Sequence, residues 1–377
     1  MAVARLITQN FRNLQGNAIV FNDSLNFFIG DNGSGKSSLL EALFFLGHGK
    51  SFRTSKIESL VSYEERKFVV SIKDDKNFQL GLSREIDTGT TVIKIDGQRH
   101  HRLSDLAKNI AIQIITPESF KLFFGGPKER RRFVDLGMFH VKHDFSDHWR
   151  EFSRVLKQRN ACIRNKVDAP TLSYWTEQLC QHSIVVSAER REYTESLFVE
   201  LKGWLDILLP SVSDNISVQF TQGWPQKKEL SQVYIENKDR ELQYGYSLYG
   251  AHKFDVKFMI AKQALETQLS RGQQKLFLLA LTFAQAKLIA RVKQVKPILL
   301  IDDIGAELDE KSRHSLSKAI ERLNCQVIIT AIEKSVIYPF IQQKTVEEYN
   351  MFHVKHGEVL PAKRTPADSD NISGKVQ

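Results

Sequence analysis

A glycine-rich segment between a predicted strand and a predicted helix constrains this chain more than any other feature. Residues 30–37 read Gly-Asp-Asn-Gly-Ser-Gly-Lys-Ser, which fits the pattern G-x-x-x-x-G-K-[ST]. The short apolar run Leu25–Ile29 predicts a strand before it, and apolar residues at helical spacing in 37–46 predict a helix after it. This context predicts a phosphate-binding P-loop in an α/β domain rather than a simple glycine turn.

The positions of the P-loop have predicted roles in holding ATP. Successive backbone N–H groups curl around phosphate oxygens, and the dipole of the following helix favours the anion. Lys36 is expected to reach the β- and γ-phosphates, and the Ser37 hydroxyl to ligate Mg²⁺. The residues predicted to contact nucleotide here are Gly30, Asp31, Asn32, Gly33, Ser34, Gly35, Lys36, Ser37 and Ser38.

A second apolar strand ends in paired acids and completes the predicted site. Ile298–Ile301 is followed by Asp302 and Asp303, which suits a Walker B element. Asp302 is expected to hold Mg²⁺ directly or through water, and Asp303 to polarise the attacking water, which makes Asp303 and Lys36 the predicted catalytic residues. Asp309, a little further on, fits either a helix cap or a subunit interface.

The charge balance favours a polyanionic partner. The 377 residues include 53 Lys or Arg and 44 Asp or Glu, a formal net charge of +9. Residues 127–166 hold eleven basic and five acidic residues, so this segment accounts for most of the excess. We expect Arg130, Arg131, Arg132 and Arg159 to contact a DNA backbone without reading its sequence. The alternatives are a solvated helix face or, for residues 130–132, support of the nucleotide or of lobe packing.

Other features favour a cytoplasmic protein without a membrane segment. The three cysteines, at positions 162, 180 and 325, are too few for a disulfide framework or a four-ligand zinc site. The first 20 residues lack the pattern of a secretory leader, and the longest nearly apolar stretch, 276–284, is about half the length of a membrane helix. The hexapeptide Met-Phe-His-Val-Lys-His occurs at both 138–143 and 351–356, and the histidines near its first copy do not complete a metal site.

Periodicity predicts an α/β chain interrupted by a helical insert. Strands are expected at 3–8 and 18–21, followed by a meander with strands at 68–72, 78–82 and 91–95. Long amphipathic helices are expected from 128 to 209. Helices at 257–268 and 273–292, a strand at 298–301, a helix at 310–323 and a strand at 326–330 would then close the sheet.

A third motif precedes the long apolar helix predicted at 273–292. Residues 269–275, Leu-Ser-Arg-Gly-Gln-Gln-Lys, look like the signature loop of ABC-type ATPases, with Ser270, Gly272 and Gln273 as predicted nucleotide contacts. A hydroxyl, a glycine amide and a helix N-terminus pointing at one anion would form another phosphate cradle. Because the chain already has a P-loop, this cradle makes sense facing the P-loop of a second copy, in a twofold dimer that sandwiches two ATP molecules.

Together with further segments, these motifs resemble the RecF family, in the SMC-like branch of ABC ATPases, over residues 1 to about 360. The supporting segments are 10–13 (Asn-Phe-Arg-Asn), 47–53 (Gly-His-Gly-Lys-Ser-Phe-Arg), 126–127 with 130–135 (Gly-Pro, Arg-Arg-Arg-Phe-Val-Asp), 156–160 (Leu-Lys-Gln-Arg-Asn) and 307–309 (Glu-Leu-Asp). The resemblance implies an ABC-type P-loop ATPase head with a helical lobe inserted between Walker A and the signature motif. Lobe I would comprise 1–125 and 295–360, lobe II 126–294, and 361–377 a disordered tail.

The same resemblance implies a weak ATPase that dimerises on binding ATP. It would hold double-stranded DNA at gaps or single-strand/double-strand junctions and help load RecA together with RecO and RecR, in DNA replication, repair and the SOS response. One departure is Gly-Ala-His-Lys at 250–253, where the family often has Gly-Pro-His-Arg. Arg12 and the loop after Phe52 are candidates for holding the adenine.

The alternative is the ATPase subunit of an ABC transporter. Such subunits keep the P-loop and the signature loop much closer together than the 234 residues between Lys36 and Ser270 of this chain. The basic helical insert between the two motifs also favours a DNA-binding ATPase over a transporter subunit.

Overall fold

The structure is a computed structural model that describes residues 2–362 except 17, 103–104, 107–108, 143, 294, 343 and 346. It divides into two compact units: residues 1–120 with 271–377 form unit 1, and residues 121–270 form unit 2. The end of the predicted disordered tail, from 363 onward, lies outside the described residues.

The strands, in chain order, are β1 Val3–Gln9, β2 Ala18–Val20, β3 Leu25–Ile29, β4 Lys67–Asp74, β5 Gln79–Glu85, β6 Thr91–Ile95, β7 Gln98–His100, β8 Ile112–Ile115, β9 Ile216–Thr221, β10 Asp255–Ile260, β11 Gln263–Ala264, β12 Ile298–Ile301, β13 Gln326–Ala331, β14 Tyr349–Lys355 and β15 Glu358–Pro361.

The α-helices are α1 Lys36–His48, α2 Pro117–Gly125, α3 Pro127–Val141, α4 Phe145–Arg164, α5 Ala169–Leu208, α6 Leu230–Glu236, α7 Lys238–Tyr244, α8 Leu265–Gln268, α9 Arg271–Lys293, α10 Ile304–Glu307, α11 Glu310–Arg322 and α12 Tyr338–Ile341. Short 3₁₀ segments occupy Ile57–Leu60, Ser213–Asn215, Ala251–Lys253 and Lys334–Ile337.

Unit 1 holds two six-stranded sheets on a common core. One has the order β2-β1-β4-β5-β6-β7 and is antiparallel throughout, and the other has the order β15-β14-β3-β13-β12-β8 and is parallel except for the β14–β15 hairpin. Apolar residues of both sheets join those of α1, including Leu39 and Leu43, in one buried cluster. Helix α1 is buried along most of its length because it meets apolar residues of both sheets.

The parallel sheet positions the predicted nucleotide motifs. Strand β3 lies between β14 and β13, and β13 lies between β3 and β12. Because parallel strands end at the same edge of a sheet, the loop after β3 and the acids after β12 come to one edge. The strands predicted at 25–29 and 298–301 are confirmed with the same bounds.

Unit 2 is built around a helical hairpin. Helices α4 and α5 pack against each other, and at 1.5 Å per residue the 40 residues of α5 extend about 60 Å. Asp168 caps α5 by accepting a hydrogen bond from the Thr171 amide, and Pro170 lies in the first turn of the helix. The three-stranded sheet β11-β10-β9 completes the unit.

The structure corrects the helix predicted at 257–268. Residues Asp255–Ile260 form strand β10, which pairs antiparallel with β9, and only Leu265–Gln268 is helical. Val256 and Phe258 are buried while Lys257 is exposed, so the true period is two residues rather than 3.6. The structural units also differ from the expected lobes. Helix α9, which was expected in lobe II, belongs to unit 1, and there Gln113 of β8 donates a hydrogen bond to Gln285 of α9.

Candidate nucleotide-binding site

The loop between β3 and α1 is shaped by its glycines. Gly35 has φ of 117°, a conformation that residues with a Cβ adopt only with strain. A Cβ on Gly30 would lie 2.2 Å from the carbonyl oxygen of Val354 on β14. No side chain caps the N-terminus of α1, so its amides face the loop as a helix N-terminus able to bind an anion.

Lys36 lies at the centre of this loop. Its Nζ donates to the carbonyl oxygens of Gly30 at 2.6 Å and Asp31 at 2.9 Å. Burial lowers the pKa of Lys36, and the nearby charges of Asp303, Asp302 and Asp31 oppose that shift. The ammonium group is therefore held inside the loop by two backbone carbonyl oxygens, and the charges of three carboxylates act on it.

The Walker B acids join the P-loop helix to two strands. The Ser37 hydroxyl donates to Oδ1 of Asp302 at 3.1 Å, and Thr330 at the end of β13 donates to the same oxygen at 2.7 Å. Burial raises the pKa of Asp302, the hydrogen bonds from Thr330 and Ser37 lower it, and the charge of Asp303 adds to the rise. The two residues predicted to hold Mg²⁺, Ser37 and Asp302, are thus in direct contact with each other.

Asp303 turns the chain out of β12 in a left-handed conformation, with φ 48° and ψ 59°. Its amide donates to the Thr330 hydroxyl at 2.8 Å, which fixes this turn. Its Oδ1 is buried and has no hydrogen-bond partner among the described residues. An acceptor of this kind is suited to a water molecule or a metal-bound ligand.

The oxygen donors at this edge fit Mg²⁺. This ion prefers carboxylate and hydroxyl oxygens and keeps several waters. The Ser37 hydroxyl and the Asp302 carboxylate are already in contact, and Asp303 supplies an unsatisfied carboxylate oxygen beside them. The charges of Asp31, Asp302 and Asp303 all act on the ammonium of Lys36, so a divalent cation would offset part of the negative charge at this edge.

Lys36, Ser37, Asp302 and Asp303 line a cavity of 440 Å³ in unit 1. Asn13 also lines it: Asn13 donates to the Gly33 carbonyl at 3.3 Å and accepts a hydrogen bond from the Ser38 hydroxyl at 2.8 Å. In the sequence, Asn13 stands out only as part of the family segment at 10–13. No local pattern shows that it braces the P-loop, because its partners lie 20 and 25 residues away.

Two arginines at the cavity are held by one buried carboxylate. Arg12 makes two hydrogen bonds of 2.8 Å to Glu41 of α1, and Arg53 lies 3.7 Å from the same carboxylate. Ser51 also donates a hydrogen bond to Glu41. Arg12 and Arg53 both line the cavity, so both stay candidates for holding the adenine. Glu41, which the sequence did not single out, orients both.

The predicted signature residues lie at the start of α9. Ser270 and Gly272 are exposed and Gln273 is half-buried. A Cβ on Gly272 would meet no atom within 4 Å, so space next to this glycine is open. The meeting of this loop with the P-loop of a second copy stays a prediction. Asp309 caps α11 by accepting from the Ser312 amide at 2.8 Å, which satisfies the helix-cap alternative.

The structure does not place Arg130 and Arg159 where DNA could reach their charges. Arg130 forms a bidentate pair with Asp255 at 2.9 and 2.8 Å. The Arg159 side chain is 4% exposed and donates to Glu241 at 2.6 Å. Both guanidinium groups are committed to buried carboxylates, which corrects their expected role as phosphate contacts.

The other two arginines of that prediction differ from each other. Arg131 donates to the Phe254 carbonyl at 3.1 Å, so it supports packing within unit 2. Arg132 is half exposed and lies 3.6 Å from Glu129. Of the four, Arg132 alone keeps an exposed guanidinium, and its acidic neighbour offsets its charge.

The fold and this site define the chain as an ABC-type P-loop ATPase head. The family described as RecF/RecN/SMC N terminal domain matches residues 2–357. DNA replication and repair protein RecF from Colwellia psychrerythraea is 66% identical over 97% of this chain and 99% of its own length. The RecF protein of Mannheimia succiniciproducens is 38% identical over 95% of this chain and 99% of its own. The chain belongs to the RecF family of DNA replication and repair proteins.

Solved structures agree on the fold. The recombination mediator protein RecF-ATP in the RecFOR pathway superposes with a TM-score of 0.83 at 22% identity, over 96% of this chain and 98% of that one. An Smc head bound to the C-winged helix domain of ScpA gives 0.55 at 16% identity, over 96% and 97%. The transporter alternative is not favoured. In the described part of the chain, no helix is long and apolar enough to cross a membrane.

Proposed function

We propose that this protein binds ATP with Mg²⁺ in the 440 Å³ cavity and uses the nucleotide to switch its dimerisation and its binding of duplex DNA. The observation that carries the proposal is the Ser37–Asp302 hydrogen bond of 3.1 Å beside the buried ammonium of Lys36. It brings the Walker A and Walker B groups together at one edge of the sheet. A family relative is described as RecF-ATP, which supports the choice of nucleotide.

The residues of the site divide the work of binding. The P-loop amides and Lys36 hold phosphate oxygens, and Ser37 and Asp302 hold the metal. Bound Mg²⁺ would neutralise charge on the β- and γ-phosphates. Thr330 keeps Asp302 oriented through its 2.7 Å hydrogen bond, so this carboxylate is positioned before any ligand arrives. Arg12 and Arg53 face the remaining part of the cavity and are suited to hold the rest of the nucleotide.

Hydrolysis would be slow and would act as a switch. Asp303 is the group with a free acceptor oxygen beside the site, and it can orient and polarise a water molecule. Completing the site would need the Ser270–Gln273 segment of a second copy, since this loop offers a hydroxyl and a helix N-terminus for the same phosphate. The ATP-bound form is then a homodimer.

In the cell the ATP-bound dimer would hold duplex DNA at gaps or single-strand/double-strand junctions. It would act with RecO and RecR to load RecA during replication, repair and the SOS response. The membership of the RecF family and the description of relatives within the RecFOR pathway support this placement.

The nucleotide site is tested with Lys36→Met and, as a matched control, Lys318→Met on the exposed side of α11. Losing a charge-assisted contact to phosphate costs about 1.5–3 kcal/mol, so ATP affinity should fall at least about tenfold for Lys36→Met. The control should bind ATP like the parent. Equal ATP affinity of Lys36→Met and the parent, measured by calorimetry, would remove the P-loop from the proposal.

Asp303→Asn separates binding from hydrolysis. This variant should bind ATP and accumulate as a dimer, with hydrolysis slower by about 10²–10⁴-fold. Sedimentation with ATP, in the presence and absence of duplex DNA, measures the assembly. A variant dimer that dissociates faster than that of the parent would contradict the role given to Asp303.

The composite site is tested by mixing Lys36→Met with Ser270→Arg, each inactive alone. Random pairing makes about half the dimers mixed, and each mixed dimer carries one intact site, so roughly a quarter of the parent activity should return if the sites act independently. If both sites must act together, dimerisation with ATP should still return. Recovery of neither, with both variants folded, would leave Ser270 as an ordinary helix start.

A further inference from the structure

The antiparallel sheet of unit 1 buries one face and leaves the other open. The inward positions, such as Phe68, Val70 and Leu80, belong to the core, whereas the alternate positions are exposed or half-buried. We call these alternate positions of β1, β4, β5, β6 and β7 the outer face. A hollow of 360 Å³ lies on it.

The outer face is strongly basic. Its exposed cations, which form no ion pair with any described residue, are Arg5, Lys67, Lys73, Lys94 and Arg99. Among the described strand positions of the outer face, the one acidic residue is Glu85, which lies opposite Lys67. The five cations come from four strands, so no run of charge along the sequence reveals them.

The strand register places like charges directly opposite each other. Arg5 pairs with Lys73 across β1 and β4, and Lys94 pairs with Arg99 across β6 and β7. Directly opposed like charges destabilise a sheet. The arrangement therefore costs stability in the isolated chain, and an anionic partner would remove that cost.

The hollow suits an extended partner. Small residues floor it, with Ser71 opposite Gly81 on neighbouring strands and Ser83 alongside. Neighbouring strands lie about 4.8 Å apart, so the cations from β4 to β7 extend over roughly 15 Å. Charges spread over that width fit a polyanion with regularly repeated charges better than a single small anion.

We propose that the outer face binds the phosphate backbone of duplex DNA, which rests on the proposed function as a DNA-binding ATPase. Lysine and arginine side chains supply contacts to phosphate that carry no sequence information. None of the outward strand positions in this face carries an aromatic residue, so the face lacks the stacking platforms that single-stranded DNA uses. The outer face thereby replaces residues 127–166 as the DNA surface.

The test measures duplex binding by the full chain with ATP, using fluorescence anisotropy over a series of salt concentrations. Lys73→Glu combined with Lys94→Glu is compared with two exposed controls, Lys318→Glu on α11 and Lys157→Glu in the basic segment of α4. Each lost phosphate contact should lower the steepness of log K against log salt by about 0.9. If a variant and the parent bind equally at 1 M salt, the variant should therefore bind about eightfold more weakly at 0.1 M salt for each lost contact. The controls should keep the parent slope.

Folding is monitored by ATP binding and by the melting temperature. Lys94→Glu places a carboxylate opposite Arg99, so the melting temperature should not fall. If the double variant does not fold, Lys94→Gln alone must still reduce the salt slope for the proposal to stand.

The outcomes are distinct. A parent chain that binds no duplex with ATP would overturn the proposed function. A parent that binds DNA, with an unchanged slope for the folded outer-face variants and a reduced one for Lys157→Glu, would overturn this inference and leave the function standing. An unchanged slope for all variants would also reject the outer face.

Discussion

The arginines of unit 2 and the cations of the outer face in unit 1 carry the same charge in opposite circumstances. In unit 2, Arg130, Arg159 and Arg190 each make a hydrogen-bonded pair with a carboxylate of that unit. On the outer face, Lys73 and Lys94 lie opposite other cations. The paired arginines of unit 2 stabilise its fold. The opposed cations of the outer face destabilise their sheet. A count of basic residues does not separate the two.

The buried pairs do more than neutralise charge. Arg159 donates to Thr176 of α5, to Glu241 of α7 and to Ser247 in the loop after α7, and its guanidinium stacks on the Tyr234 ring at 4.0 Å. Arg190 donates to Asp135 and to the Ala251 carbonyl. One planar side chain thus links segments that are distant in sequence, which a lysine could not do with the same geometry.

The largest effect should come from breaking one of these buried pairs. Arg159→Met leaves Glu241 buried without its partner, and the free energy of unfolding should fall by about 3–5 kcal/mol. Adding Glu241→Leu removes the second charge and should recover much of that loss. Urea denaturation measures both variants, and duplex binding per folded molecule should equal that of the parent. If the Arg159→Met protein had normal stability but had lost DNA binding, Arg159 would be a DNA contact rather than a residue that stabilises unit 2.

A second test uses the buried His252 of unit 2. Burial lowers the pKa of His252 to about 4, while its Nε2 lies 2.9 Å from the Ser247 carbonyl oxygen. The unfolded chain takes up this proton near pH 6.5 and the folded chain only near pH 4. Stability is therefore complete above pH 6.5 and falls as the pH drops towards 4, by up to about 1.4 kcal/mol per unit and about 3 kcal/mol in all.

The measurement for His252 is the free energy of unfolding at several pH values for the parent and for His252→Gln. The parent should lose more stability than the variant on acidification below pH 6.5. If the free energies of unfolding of parent and variant fell in parallel with pH, His252 would not stay neutral inside unit 2. The contrast between buried groups of unit 2 and solvent-exposed charges of unit 1 would then be weaker.

The smallest effect should come from an exposed arginine of unit 1. Arg66 pairs with Asp87 at 2.8 Å, but both side chains are more than half exposed. Arg66→Ala should change the free energy of unfolding by less than about 1 kcal/mol. A loss as large as that of Arg159→Met would mean that burial does not distinguish the two groups of arginines.

The sequence predicts the strand and helix context of the P-loop and of the acids after β12, because these signals are local. The P-loop is one continuous segment between a strand and a helix, and the acids at 302 and 303 directly follow an apolar strand. The burial of Arg130 and Arg159 against carboxylates could not be predicted from such local signals. Their partners, Asp255 and Glu241, lie 125 and 82 residues further along the chain.

The repeated hexapeptide shows the same limit for secondary structure. Its first copy begins in α3, since Met138–Val141 end that helix, whereas residues 351–355 of its second copy lie in strand β14. Identical residues therefore adopt two conformations in one chain. Pairing with β3 selects the strand in the second copy, and such tertiary context overrides local propensity.

The order of strands around the P-loop bears on the synthesis of the protein. Strand β3 pairs only with β13 and β14 in its sheet, and both are made some 300 residues after it. Until residues 326–331 and 349–355 have left the ribosome, the segment that carries the P-loop has no neighbouring strand to hold it. A chain released before residue 326 keeps the whole glycine-rich motif but not the edge on which it works. The edge of the sheet that carries the P-loop is therefore complete only when nearly the whole chain has been made.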